Sequence, residues 1–413
     1  MHFAQGSLTL GRFPAMDRGP SALDILRTRE LPFLTRRNYY YEFQHLLAWS
    51  VVASVVEGGH FAAVVVPKSF NGGEFPIAVA LSTPVAALLF SLFWGMLCVG
   101  RPIIRLLTIL ASATTLVVGM AGAIPNTPAG LYWYLAQMAA AQILLAGVVT
   151  VRSAVWRANY PRSVRGEITS RLQAARFVVS TVTVLACAAV CDRDPQAYRF
   201  IYPAAAIVGV VGVLILPRIR IRGERAALAR HAGPSSDGEL RKGLVEPFSL
   251  TALIHPGHVF QQMVDVLRSD RRFAMYLVAQ GLAGVGNFLT AVVAAAVITL
   301  HLPIGYRSGY WVCLVLLMAL PKLLQVWSVG RWGRLFDRIG VVRFRVYNAM
   351  CWMTGLALGG AATLVAVSEG AIGPVFLPVS VALFACRSIV WGVAMGGGSV
   401  AWNVGHLHFA KPE

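Results

Sequence analysis

Three charged side chains sit well inside long apolar runs: Glu57 in SVVEGGHFAA, Lys322 directly after Pro321, and Arg387 in ALFACRSIVWG. Glu57 is the only acid read within such a run, and His60 follows three residues later, a spacing that puts both on one helix face. An acid so placed suits proton transfer. Desolvation favours its neutral form and a nearby cation its charged form, so a change of surroundings changes its protonation. Arg387, a fixed cation with a planar fork of donors, suits a carboxylate or phosphate on a small solute. Lys322 is a second cation or a partner for Glu57. Gln137 and Gln142 in the fourth apolar run, and Gln280 and Asn287 in the seventh, are polar residues that can line a crevice beside these charges. The competing reading is structural: Glu57 pairs with a cation to brace two parts of the molecule, and His60 is a hydrogen-bonded packing residue.

What must position these groups is a set of membrane helices. The chain has 413 residues, of which 57% are hydrophobic and 13% charged, and its mean hydropathy is +0.64. Soluble domains are about a quarter charged. The apolar runs, each near the length that crosses a bilayer core, are Phe43–Val66, Phe75–Val99, Ile103–Ile124, Leu131–Val151, Ala174–Cys191, Phe200–Leu216, Phe273–Leu300, Gly309–Val329, Phe344–Val367 and Val375–Val400. None alternates in the manner of a barrel strand, so each reads as a helix that satisfies its own backbone. The first run begins after a mixed charged segment and reads as a retained span.

Lys and Arg number 36 against 18 Asp and Glu, a net charge of +18. With the amino terminus cytoplasmic, the outer loops hold only Lys68, Arg193, Arg199 and Arg307. Lys322 and Arg387 lie within runs, and the other cations are assigned to the cytoplasmic side. This asymmetry makes the basic charge a topology signal rather than a nucleic-acid surface. It predicts a multi-pass protein of the plasma (inner) membrane, in contact with the lipid bilayer, with both termini cytoplasmic.

Cofactor, metal and catalytic chemistry find no support in the motifs. The six cysteines have no metal-ligand spacing with histidine and read as packing residues. His255/His258 and His406/His408 lack a third ligand. WGVAMGGGSVAW lacks the Gly-Lys-Ser/Thr ending of a phosphate loop and reads as close helix packing or a flexible gate. No nucleophile–base set identifies an enzyme.

The runs group as six and then four. Residues 1–42 form a cytoplasmic segment, 43–217 a six-helix bundle, 218–272 a cytoplasmic linker and 273–413 a second bundle with four helices. The linker holds the polar stretch HAGPSSDGELRKG and ends in HVFQQMVDVLRSDRRF, where Val259, Phe260, Met263 and Leu267 share a helical face. The two bundles repeat. FWGMLCVGRPIIR aligns with RWGRLFDRIGVVR, so that Trp94 meets Trp332; GHF at 59–61 meets GNF at 286–288; SAVW at 153–156 meets SVAW at 399–402.

The stretch between the eighth and ninth runs is GRWGRLFDRIGVVR. Its Gly333, Leu335, Asp337, Arg338, Gly340 and Arg343, together with Pro161, Arg165 and Gly166 in YPRSVRG, resemble the signature loops of the Major Facilitator Superfamily. The resemblance implies an all-α membrane protein of two pseudo-symmetric helical bundles, the second incomplete with spans 7–10 only. It implies a secondary active transporter that moves a small, anionic or neutral solute by alternating access, with H⁺ coupling through Glu57. The first and fourth spans of each half would line the central cavity, which places Glu57 and Arg387 on its wall. Asp337 would meet the unpaired N–H groups at the start of the fifth span, near Arg165 and Gly166, and act as a latch. Gly333 would allow close helix packing and Gly340 a tight turn, while Arg338 and Arg343 hold the loop inside. Two departures stand out. Val99 occupies the aspartate position of the first half, and the chain ends two spans short of twelve, for which a fragment is the simplest account. The alternative function is therefore a truncated or degenerate relative without transport activity, serving as a membrane scaffold.

Overall fold

A computed structural model of the chain describes residues 33–98, 100–232, 271–302, 309–372 and 377–409, with positions 261, 264 and 268 between them. Val99, the linker face of Val259, Phe260, Met263 and Leu267, and the pair His255/His258 lie outside the described residues. For Arg165, Gly166, Gln280, Asp337, His406 and His408 only the backbone is described.

The described residues form helices and no strand. They are α1 (Phe33–Val56), α2 (His60–Phe70), α3 (Glu74–Leu88), α4 (Ser91–Leu97), α5 (Ile103–Met120), α6 (Pro128–Asn159), α7 (Arg162–Arg193), α8 (Tyr198–Ile215), α9 (Glu224–Ala232), α10 (Arg271–Ala296), α11 (Tyr310–Leu314), α12 (Leu320–Ile372) and α13 (Leu377–Phe409). Glu57–Gly59 form a short 3₁₀ turn between α1 and α2, and π-helical turns at Val297–His301 and Val315–Ala319 extend α10 and α11. Local chemistry sets several ends. Thr127 caps α6, its hydroxyl accepting from Gly130 N at 3.0 Å, with Pro128 in the first turn. α7 starts behind Pro161, so Arg165 and Gly166 follow directly on the turn whose N–H groups have no intrahelical partner.

Nine stretches among the described residues are long and apolar enough to cross a membrane: Thr35–Phe70, Ile103–Ala123, Pro128–Asn159, Arg171–Arg193, Pro195–Arg218, Gly284–His301, Tyr310–Phe336, Val342–Ser368 and Pro378–Val400. The second apolar run departs from the expectation of one continuous helix. It divides into α3 and α4 at Leu89 and Phe90, whose N–H groups bond three residues back, to Ala86 O and Ala87 O, both at 3.1 Å. The eighth and ninth runs are joined in α12 and separated by Gly340, at φ 73° and ψ 169°. That conformation strains any residue with a Cβ, as the tight-turn reading of Gly340 requires. A Cβ built on Gly333 meets no atom within 4 Å among the described residues.

In the first bundle α1 packs on α8 and α7, α5 on α6 and α8, and α3 on α6; in the second, both legs of α12 pack on α13. Within a bilayer, small residues rather than hydrophobic driving force bring helices together. The glycine-rich stretch of α13 does this. A Cβ on Gly392 would lie 2.8 Å from Pro321 Cα, and one on Gly396 would lie 3.2 Å from Val329 N.

The repeat is visible in one contact made twice. Trp94 Nε1 donates to Ile143 O at 3.0 Å, and a Cβ on Gly147 would lie 2.9 Å from Trp94 Cδ2. Trp332 Nε1 donates to Val393 O at 2.8 Å, and a Cβ on Gly397 would lie 3.0 Å from Trp332 Cδ2. Carbonyl and glycine are one helical turn apart in both halves. The pairing of SAVW with SVAW would set Gly147 opposite Val393; the tryptophans set it opposite Gly397, one turn further along. The Trp94–Trp332 alignment thus holds in space, while the later alignment slips by a turn.

The chain after α8 folds back beneath the first bundle. Asn38 Nδ2 donates to Arg220 O at 2.8 Å, Arg222 N donates to Asn159 Oδ1 at 3.2 Å, and Ile103 N at the start of α5 donates to Glu224 Oε1 at 2.9 Å. The last is a carboxylate at a helix N-terminus, where the backbone dipole favours it.

Candidate functional site

Glu57 owes its position to the two glycines after it. Gly58 has φ 73° and Gly59 has φ 70°, a region where residues with a Cβ are strained. They break the first spanning helix at Glu57 and restart it at His60. Gly59 is pressed against the backbone of α3 at Ala80 and Leu81. A helix break frees carbonyl groups that must find donors inside a membrane. Gln142 on α6 supplies one, its Nε2 donating to Val56 O. Gln142 is therefore committed to the break that carries Glu57, and it is itself buried.

The carboxylate of Glu57 faces α7. Arg176 Nη2 donates to Glu57 Oε1 in an ion pair, and Arg176 Nη1 donates to Gln173 Oε1 at 3.1 Å. This corrects the reading of Lys322 as the direct partner. Lys322 Nζ instead donates to Ser180 Oγ, one turn along α7 from Arg176, and acts on Glu57 at longer range. Lys322 lies in the second bundle and Ser180 in the first, so the bond crosses between them. His60 lies within electrostatic reach of Glu57, Lys322 and Arg387, and its Nδ1 is buried with no hydrogen-bond partner. Arg387 on α13 is 3% exposed, its guanidinium carbon lies 4.6 Å from the centre of the Trp391 ring, and its Nε also lacks a partner. Asn287 is half-buried on α10. Groups selected from the sequence of spans 1, 8 and 10 are thus brought to one region, with Gln142 holding its backbone.

A second polar cluster lies toward the amino-terminal end of span 1. Arg152 Nη2 and His45 Nε2 are 3.0 Å apart; because arginine only donates, Nε2 accepts and Nδ1 carries the proton that His45 gives to Gly212 O at 2.9 Å. Glu42 accepts from Trp156 Nε1 and Tyr160 Oη. Glu42, His45 and Arg152 are all buried. The sequence reading placed Glu42 and Arg152 one residue outside their runs and assigned Arg176 to the cytoplasmic side, although it falls two residues inside the run from Ala174. That position was the available signal. Glu57 is consequently one of two acids inside the first span.

At the opposite end the bundles are tied together. Ser69 Oγ donates to Pro195 O at 2.5 Å, leaving Tyr310 Oη, from the second bundle, to donate to Ser69 Oγ. His301 Nε2 lies 3.5 Å from Glu74 Oε1, a further contact between bundles. Removing the Tyr310 hydroxyl should loosen this end by about 1 kcal/mol, roughly a fivefold shift in a two-state ratio. Tyr310→Phe is expected to raise labelling of Cys313 by a membrane-impermeant thiol reagent added on that side. Unchanged labelling would show that the contact does not govern access. Two cavities, about 690 Å³ between α1 and α8 and about 620 Å³ between α9 and the first bundle, include none of the charges around Glu57.

No family model matches the sequence, and no curated protein is significantly similar to it. Solved structures do match. The chain is similar to the partially occluded inward open conformation of the xylose transporter XylE from E. coli, with 17% identity, a TM-score of 0.51, and coverage of 91% of this chain and 84% of that one. It is also similar to the nucleoside transporter NupG, with 10% identity, a TM-score of 0.49, and coverage of 92% and 84%. A third match is a mutant of the peptide transporter POT in complex with sulfate, with 12% identity, a TM-score of 0.49, and coverage of 92% and 89%. XylE is described in another of its structures as a major facilitator superfamily proton:xylose symporter. The chain is an integral multi-pass membrane protein with the fold of the Major Facilitator Superfamily.

Proposed function

We propose that this chain is a secondary transporter that moves a small solute by alternating access, with H⁺ coupled through Glu57. The observation that carries the reading is the Glu57–Arg176 pair at a glycine-made helix break, beside a bond from Lys322 that crosses between the bundles. The Glu57 side chain is 34% exposed, while its partner is 12% exposed. Protonation would cancel the attraction to Arg176 and leave a cation unpaired, so the arrangement of α1 and α7 depends on the proton. The likeness of the fold to that of a protein named as a xylose transporter supports a small-molecule cargo.

In this reading residues 43–217 and 273–413 move as two bodies joined by 218–272. The basic excess supports a cytoplasmic amino-terminal end of span 1, and in this reading the membrane is the plasma membrane. Contacts at Ser69, Pro195 and Tyr310 then close the outer side. The cytoplasmic side is closed in the other state by Asp337 against the start of α7, with Arg338, Arg343 and Gly340 shaping its loop. Such a latch is worth about 0.3–2 kcal/mol, several-fold in population. Asp337→Asn is expected to increase labelling of a reporter cysteine at Ala174 from the cytoplasmic side; equal labelling in both proteins would remove the latch.

The deciding experiment is uptake and efflux in proteoliposomes across a panel of sugars, nucleosides, peptides and organic acids, with and without a pH gradient. Gradient-dependent movement of one class is the expected result. Failure of every class to move under any gradient would favour the scaffold alternative.

A further inference from the structure

The interior of the described spans does not balance its charge. Four cations, Arg152, Arg176, Lys322 and Arg387, lie there with two carboxylates, Glu42 and Glu57, and Arg345 is a further half-buried cation near the end of another span. Arg176 is paired with Glu57, and Arg152 lies within electrostatic reach of Glu42. Lys322 donates to a neutral hydroxyl. Arg387 has no ion pair or side-chain hydrogen bond among the described residues, although it is 3% exposed and its Nε is sealed from solvent. Among the described residues, the face of Trp391 lies against its guanidinium. A guanidinium is expensive inside a membrane unless something negative meets it. The position is also shaped: Gly359 lies against the arginine stem, where an added Cβ would come within 3.0 Å of both Cδ and Nε. His60, with its own orphaned Nδ1, lies within electrostatic reach of Arg387.

We infer that Arg387, together with His60 and Lys322, receives the acidic group of an organic anion, a carboxylate or a phosphate ester, and that this anion is the cargo. The guanidinium fork supplies paired parallel donors that a lone ammonium cannot. His60 and Lys322 come from the other positions around the same region, so the anion touches both bundles at once. The word cargo rests on the transporter reading; the binding site does not.

The test uses the full chain in two formats. In proteoliposomes, counterflow is measured for succinate, benzoate and glycerol 3-phosphate against xylose and adenosine. In detergent, thermal unfolding is followed with each compound. The expected result is that at least one anion both moves and raises the unfolding temperature, that the neutral solutes do neither, and that Arg387→Gln weakens the anion by tenfold or more, with Arg387→Lys intermediate. Whether succinate and benzoate or glycerol 3-phosphate responds separates carboxylate from phosphate. Without ligand, Arg387→Gln should unfold at the wild-type temperature or above, because it removes an uncompensated charge. A marked drop would make Arg387 a structural brace and overturn the inference. Transport of a neutral solute, unaffected by Arg387→Gln, would overturn it and leave the transporter reading intact. Arg387-dependent stabilisation by an anion that never moves would uphold the site and sink the transporter reading. No response to any anion in either format would overturn the site.

Discussion

Glu57→Gln should abolish accumulation against a gradient while leaving exchange of solute across the membrane. One pH unit corresponds to about 1.36 kcal/mol, a tenfold concentration ratio for a one-to-one coupled solute. In the variant that ratio should fall to about one. The substitution also strands Arg176. Removing one member of a buried ion pair costs about 3–5 kcal/mol, and less here, because a third of the Glu57 side chain is accessible. The single variant should therefore unfold at a lower temperature. Glu57→Gln combined with Arg176→Gln removes the unpaired charge and should recover much of the stability without recovering coupling. Loss of stability and loss of coupling are thereby separated. A stably folded Glu57→Gln protein that still concentrates its solute tenfold per pH unit would reduce Glu57 to architecture.

The largest effect on folding is expected at Gly59. Its φ of 70° costs a residue with a Cβ roughly 1–2 kcal/mol. The new Cβ would also press on the Ala80 carbonyl and come within 3.3 Å of Leu81 Cα, backbone that cannot swing aside. Gly58 and Gly223 provide internal comparisons. Gly58 has φ 73°, but its nearest obstacle is the His60 ring at 3.1 Å, a side chain able to yield. Gly223 has φ 75° and nothing within 4 Å. The expected order of destabilisation on substitution by alanine is Gly59, then Gly58, then Gly223, with the last near the strain energy alone. Membrane-inserted yield and unfolding temperature measure it. If Gly59→Ala is as stable as Gly223→Ala, the break that holds Glu57 is not set by backbone geometry.

In the proposed transporter, the contact at Ser69 and Tyr310, the central charges and the latch loop would act at three depths of the molecule. The energies of the two end contacts are small beside the stability of a domain, which is about 5–15 kcal/mol. That scale suits a switch: contacts of about 1 kcal/mol redistribute conformations without unfolding them.

Much of the architecture was legible in residue order, because bilayer thickness imposes a length on every crossing segment and apolar run length is a local property. The spans, the basic asymmetry, the Trp94–Trp332 repeat and the packing role of the α13 glycines follow from composition and spacing, while the turn at Gly340 was implied by the resemblance of its loop. The break within the second run escaped, since α3 and α4 are equally apolar across it. Glu57 could be singled out as costly, but its partner could not: Arg176 lies 119 positions away, and which face of α7 turns toward α1 depends on helix rotation and crossing. The same holds for Gln142 on the Val56 carbonyl, for Lys322 on Ser180, and for the one-turn slip between SAVW and SVAW. Residue order thus marked out the crossing helices and the charges that need a reason to be there. Which of those charges meet was left to the packed bundle, because meeting is a property of helix orientation rather than of chain position.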